Sequence, residues 1–90
     1  MNDINQDKIK KSRIIEPEFQ AILQLYEARI DLNMTQKELS EKSGVRQSNI
    51  SRIERGTCSP TIRTLSELAY AMGKKLEIKI KLVHTHFISW

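Results

Sequence analysis

Residues 35–56, TQKELSEKSGVRQSNISRIERG, constrain the fold of this chain more than any other stretch. Thr35 stands three residues before Glu38, so hydroxyl and carboxylate can each satisfy an orphan amide at a helix start. A helix is therefore expected from Gln36. Gly44 follows Ser43 where helices commonly end in a left-handed residue, a conformation that glycine enters without steric cost. A second short helix is expected over 47–55, with Val45, Ile50 and Ile53 as its buried stripe and Gly56 closing it as Gly44 closes the first.

The other face of that second helix carries Gln47, Ser48, Asn49, Ser51 and Arg52. These hydrogen-bonding side chains are short enough, or forked enough, to read base edges in a DNA major groove, which admits one α-helix. Thr35, Gln36, Arg46 and Arg55 cluster at the helix ends that border such a groove and are candidate phosphate contacts, with Thr57 just beyond. Arg46 occupies the N-cap of the second helix, where a short hydroxyl or carboxamide is usual, and exchanges capping strength for a phosphate contact.

The spacing T-Q-x-x-L at Thr35, Gln36 and Leu39, followed by G-V-x-Q-x-x-I-S-x-I-E-R-G from Gly44 to Gly56, resembles the phage-repressor type of helix-turn-helix domain, often called the Xre family. That resemblance implies a mainly all-α, lambda-repressor-like domain of four to five helices. It implies base reading by Gln47, Ser48 and Arg52, and a salt bridge between Arg29 of the first helix and Glu54 of the reading helix. The stretch RTLSELAYAMGKKLEI over 63–78 looks most like the HigA and HipB type of antitoxin, in which the last helix runs into a strand. Such a protein represses its own operon and neutralises a toxin. The likeness covers about residues 16–82.

Upstream, residues 1–15 are polar, with Lys8, Lys10, Lys11 and Arg13, and read as a flexible basic arm. Pro17 suits the first turn of a helix because its missing amide costs nothing there. That helix is expected over 17–32, with Phe19, Ile22, Leu23, Tyr26 and Ile30 on one apolar face and Asn33 ending it. Downstream, Ser59 or Thr61 can cap a further helix reaching Met72, whose buried side is Ile62, Leu65, Leu68, Ala69 and Met72. Gly73 stops it, and residues 16–73 form the helix-turn-helix domain.

Residues 74–83, KKLEIKIKLV, then alternate with period two. Leu76, Ile78, Ile80 and Leu82 share one face of an extended chain, and β-branched isoleucines favour that form. One strand cannot satisfy its own backbone groups. Its simplest partner is the same strand of a second copy across a two-fold axis, making a homodimer; internal pairing with residues 13–15 is the alternative. The tail, 84–90, brings His84 and His86 at a spacing that could start a metal site, but no second cysteine or acidic cluster stands nearby in sequence. Phe87, Ile88 and Trp90 there mark a surface that something covers.

The net charge of +4 and pI near 9.4 favour a polyanionic partner. The local balances are +2 over 1–15, −3 over 16–34, +3 over 35–63 and +2 over 64–90, which concentrates positive charge on the two-helix unit and the ends. Cys58 is the single cysteine, so no internal disulfide forms. With no long apolar run and no signal peptide, a cytoplasmic protein without membrane contact is expected. The chain has no phosphate loop, metal motif or triad spacing, so neither enzyme chemistry, a metal nor a cofactor is expected. The expected partners are double-stranded DNA carrying an inverted-repeat operator, a second copy of the chain and a toxin; a phage-type or restriction-controller regulator without a toxin is the alternative.

Overall fold

The computed structural model describes residues 16–82, with side chains from Pro17 onward. Four helices lie within that span: α1 (Glu16–Asp31), α2 (Gln36–Ser43), α3 (Gln47–Glu54) and α4 (Ile62–Ala71). The last three are 8, 8 and 10 residues long, and each lies between an N-cap and a C-cap residue.

At the start of α2 the Thr35 hydroxyl accepts the Glu38 amide at 3.0 Å while the Thr35 amide donates to the Glu38 carboxylate at 2.8 Å, which completes the capping box. Thr61, and not Ser59, caps α4 by accepting the Thr64 amide; the Ser59 hydroxyl instead donates to Glu18 of α1 at 2.6 Å, tying the loop to the first helix. Helices α1, α3 and α4 end alike. In each, the residue after the cap has positive φ: Asn33 at 54°, Gly56 and Gly73 both at 73°. Two amides then reach back to the last turn, as Gly56 does to Ile53 and Thr57 to Arg52, each at 3.0 Å.

The caps aim the apolar stripes at one core. Phe19 and Ile22 from α1, Leu39 from α2, Val45 from the turn, Ile50 and Ile53 from α3, and Leu68 and Met72 from α4 are buried together. Ile50 is fully enclosed, at 0% exposure. Two residues expected on these stripes are outside. Ile30 is 47% exposed because Arg29 takes the inward position in the last turn of α1, and the next residue steps about 100° away. Ile62 is 63% exposed, lying roughly 70° from the centre of the Leu65, Leu68, Ala69 and Met72 stripe at the helix's first position.

Beyond Gly73, residues 74–82 leave the helical core, and no strand is assigned among the described residues. Leu76 is half-buried, while Ile78, Ile80 and Leu82 are exposed. The candidate strand of 74–83 therefore has no ladder within this single chain's described residues. The basic arm of 1–15 and the tail with His84, His86, Phe87, Ile88 and Trp90 lie outside the described residues. No described helix is long and apolar enough to cross a membrane.

Candidate nucleic-acid interface

The geometry of the site begins with the turn between α2 and α3. Gly44 has φ of 80° and its amide donates to the Ser40 carbonyl, ending α2. The Ser40 hydroxyl donates to the Val45 carbonyl at 2.6 Å and the Val45 amide donates to the Ser43 hydroxyl at 3.0 Å. Three side-chain and backbone bonds thus fix the angle at which α3 departs. Val45 anchors the turn in the core at 8% exposure. Arg46 then holds the N-cap with extended backbone and no side-chain cap, so its guanidinium stands outside the helix it begins.

On α3 the inward positions go to Ile50, Ile53 and Glu54. The outward positions hold Gln47, Ser48 and Arg52, all exposed, with Asn49 and Ser51 half-buried at the flanks. Asn49 leans toward the loop after the helix, where its side-chain Oδ1 accepts the Cys58 thiol at 4.0 Å. Arg55 is exposed just past the helix and donates to the Ser51 hydroxyl at 2.6 Å. Thr57 donates its hydroxyl hydrogen to the Arg52 carbonyl at 3.1 Å, so as placed that hydrogen serves the helix end. Thr35 is likewise engaged, its hydroxyl oxygen accepting the Glu38 amide at 3.0 Å.

The sign of the face depends on where Glu54 goes. Arg29 donates from Nε and from an Nη to the two carboxylate oxygens of Glu54, both at 2.7 Å, and the side chains are 7% and 4% exposed. A further Arg29 N–H reaches the Met34 carbonyl at 2.8 Å, and the guanidinium lies 5.6 Å from the centre of the Tyr26 ring. Gln36 also donates to Glu54 at 2.9 Å. The only carboxylate of α3 is thereby turned inward and neutralised, and the outer face of the helix carries Arg52 with Arg46 and Arg55 at its ends. Charge repulsion from phosphate is removed from this surface by the same pair that joins α1 to α3.

Two features here have no signature in the sequence pattern. Gln36, a candidate phosphate contact, is oriented by the carboxylate of a residue on another helix. A cleft of about 340 Å³ brings Thr64 and Glu67 of α4 beside Gly44, Arg46, Asn49 and Arg52, so one acidic group borders the cationic face. At the start of α2 the hydrogen bond from the Thr35 amide, with help from its side chain and from Lys42, holds the Glu38 carboxyl below the usual carboxylate range. Among the described residues no group of three His, Cys, Asp or Glu side chains could hold a metal.

Two short helices at a fixed angle, the second exposing polar and cationic side chains from a buried apolar base, define a helix-turn-helix unit. A helix-turn-helix family model matches residues 25–79, and the chain belongs to that family. An uncharacterized HTH-type transcriptional regulator of Haemophilus influenzae is 36% identical over 74 residues, which cover 82% of this chain and 72% of that protein. A second such regulator, from Sinorhizobium fredii, is 43% identical over 58 residues, 64% of this chain but 30% of the relative. Among solved structures, a toxin–antitoxin module from Streptococcus pneumoniae superposes with a TM-score of 0.59 at 30% identity, covering 86% of this chain and 93% of that one.

Proposed function

We propose that the chain is a sequence-specific DNA-binding transcriptional repressor, and that it is the antitoxin of a toxin–antitoxin module. The observation that carries the DNA reading is the outer face of α3, where Gln47, Ser48 and Arg52 are exposed while Glu54 is withdrawn into its pair with Arg29. Amide and guanidinium groups match adenine and guanine edges in the major groove, with Asn49 and Ser51 at the margins. Thr35, Gln36, Arg46, Arg55 and Thr57 ring that face and serve as phosphate contacts, fixing register without reading sequence. The protein acts in the cytoplasm as a binding module and not as an enzyme.

Dimerisation follows from residues 74–83. Their alternation supports an antiparallel strand paired with its copy, which places two α3 helices one DNA turn apart, roughly 34 Å, on an inverted-repeat operator. The toxin role draws support from the likeness to the pneumococcal module and from the similarity of residues 63–78 to antitoxins of the HigA and HipB type. The names of the bacterial relatives favour a second reading, a regulator without a toxin.

The test uses the DNA upstream of the chain's own reading frame and the product of the neighbouring frame. Footprinting should show protection of an inverted repeat, and co-expression should rescue growth from the neighbour's toxicity. Protection without any toxic neighbour would leave the plain repressor. No protection at any DNA, at low salt, would remove both.

A further inference from the structure

The segment after α4 says more about its partner than that one exists. The Lys74 amide donates to the Ala69 carbonyl at 2.9 Å, and among the described residues the backbone of 75–82 makes no further backbone hydrogen bond. Leu76 is the first apolar residue of the alternation and is the half-buried one. It lines an open groove of about 1110 Å³ with Leu32, Tyr70 and Met72, and the groove's cations are Lys42, Lys74 and Lys75. Tyr70 is 83% exposed there, and further along the chain Ile78, Ile80 and Leu82 are 57%, 98% and 77% exposed.

We propose that this segment pairs antiparallel with a second copy in one register, with Lys79 on the two-fold axis opposite its own copy. In that register the partner's Leu82 lies over Leu76 and closes the groove beside Leu32 and Tyr70. The inference rests on the dimer reading above and fixes what that reading leaves open.

Residues directly opposite in an antiparallel pair share a face of the sheet. The axis must pass through a residue, because an axis between residues would set odd positions against even ones, whose side chains leave opposite faces of the sheet. Among such centres, Lys79 alone matches all four alternating apolar residues: Leu76 faces the partner's Leu82 and Ile78 faces the partner's Ile80, in both halves. It also sets Glu77 against the partner's Lys81 twice, and opposite charges across a pair stabilise it. The one like-charged contact is Lys79 with itself, on long side chains that reach solvent.

The neighbouring centres do worse on both counts. Centring on Ile78 sets Leu82 against the partner's Lys74 and Lys75 against the partner's Lys81, twice each. Centring on Glu77 opposes that carboxylate to its own copy and Lys75 to the partner's Lys79. Centring on Ile80 opposes Lys79 to the partner's Lys81 in both halves. Like charges directly opposite destabilise a pair, and a one-residue slip moves the whole apolar set.

Disulfide trapping in the full chain, with Cys58→Ala to remove the native thiol, tests the register. Opposite residues have Cα atoms about 4.5–5.5 Å apart, inside the disulfide window of roughly 4.4–6.8 Å, whereas diagonal neighbours are at about 7–8 Å. Under mild oxidation Lys79→Cys should give a covalent dimer on a non-reducing gel. Ile78→Cys and Ile80→Cys should each stay uncrosslinked alone and crosslink when mixed. Sedimentation of the reduced proteins separates the two possible failures. A dimer in which Ile78→Cys traps itself, or in which Lys79→Cys gives no covalent band, overturns the register and leaves the dimer; a monomer at micromolar concentration overturns the dimer reading and the register with it.

Discussion

Replacing Glu54 by alanine tests the ion pair that joins α1 to α3. The substitution removes the acceptor of two Arg29 bonds at 2.7 Å and of the Gln36 bond at 2.9 Å. Arg29 stays behind at 6% exposure without the carboxylate that it pairs with, keeping the Met34 carbonyl and the face of Tyr26 among its contacts. Stranding one partner of a buried pair costs about 3–5 kcal/mol. A domain of this size holds net stability of order 5–10 kcal/mol, so the loss takes a large fraction of it. At about 4–8 °C per kcal/mol, even the lower figure lowers Tm by roughly 12–24 °C. Urea denaturation followed by circular dichroism measures the loss directly. The double variant Arg29→Met, Glu54→Leu replaces the charges with apolar volume and should recover most of it, because a buried pair gains little over a hydrophobic isostere. If Glu54→Ala costs less than about 1 kcal/mol, or if the double variant is as unstable as the summed single variants, the burial argument is wrong.

Gly44→Ala should cost about 1–2 kcal/mol through the left-handed backbone at φ of 80° and not through a clash, since nothing lies within 4 Å of the added Cβ; Gly44→Asn should cost less, and equal losses in the urea midpoint would refute this. Glu38 has a depressed pKa in the folded chain, so its contribution is present above the unfolded carboxyl's pKa and lost as pH falls through the folded one. The stability gap between the parent and Glu38→Gln should therefore be widest near neutral pH and close in acid, and a gap independent of pH would count against the capping box. Arg55→Ala should weaken binding to all DNA sequences alike and reduce the log–log salt slope by about 0.9, measured by fluorescence anisotropy across a salt series; a sequence-selective loss would move Arg55 from phosphate to base.

The helix boundaries were legible in the sequence because caps are local. Thr35 with Glu38, and the glycines at 44, 56 and 73, act within a few residues of where they stand, and the apolar spacing of α3 is carried entirely by Val45, Ile50 and Ile53. Burial at helix ends was less legible. Ile30 and Ile62 fit the apolar period yet face out, because periodicity does not say that Arg29 takes the inner place or where α4 runs off the edge of the core. Side-chain meetings far apart in the chain were least legible. The Arg29–Glu54 pair was expected from the family resemblance, but the bond that Gln36 adds to Glu54, the turn of Asn49 toward Cys58, and the placing of Glu67 beside Arg46 and Arg52 all depend on how helices cross, which leaves no repeat in the sequence. Residues 74–82 are a different case: their alternation is plain, but a ladder needs a second strand.

Selection of binding sites from random duplex DNA tests the central claim, that the outer face of α3 reads bases. It compares the parent chain with the Gln47→Ala, Arg52→Ala double variant at equal salt. The parent should return an inverted repeat with half-sites one helical turn apart, about 34 Å. The double variant should lose about 1–3 kcal/mol of discrimination per lost contact at particular base pairs of each half-site, while keeping its non-specific, salt-dependent binding. Recovery of the parental site at parental affinity by the double variant would contradict the account.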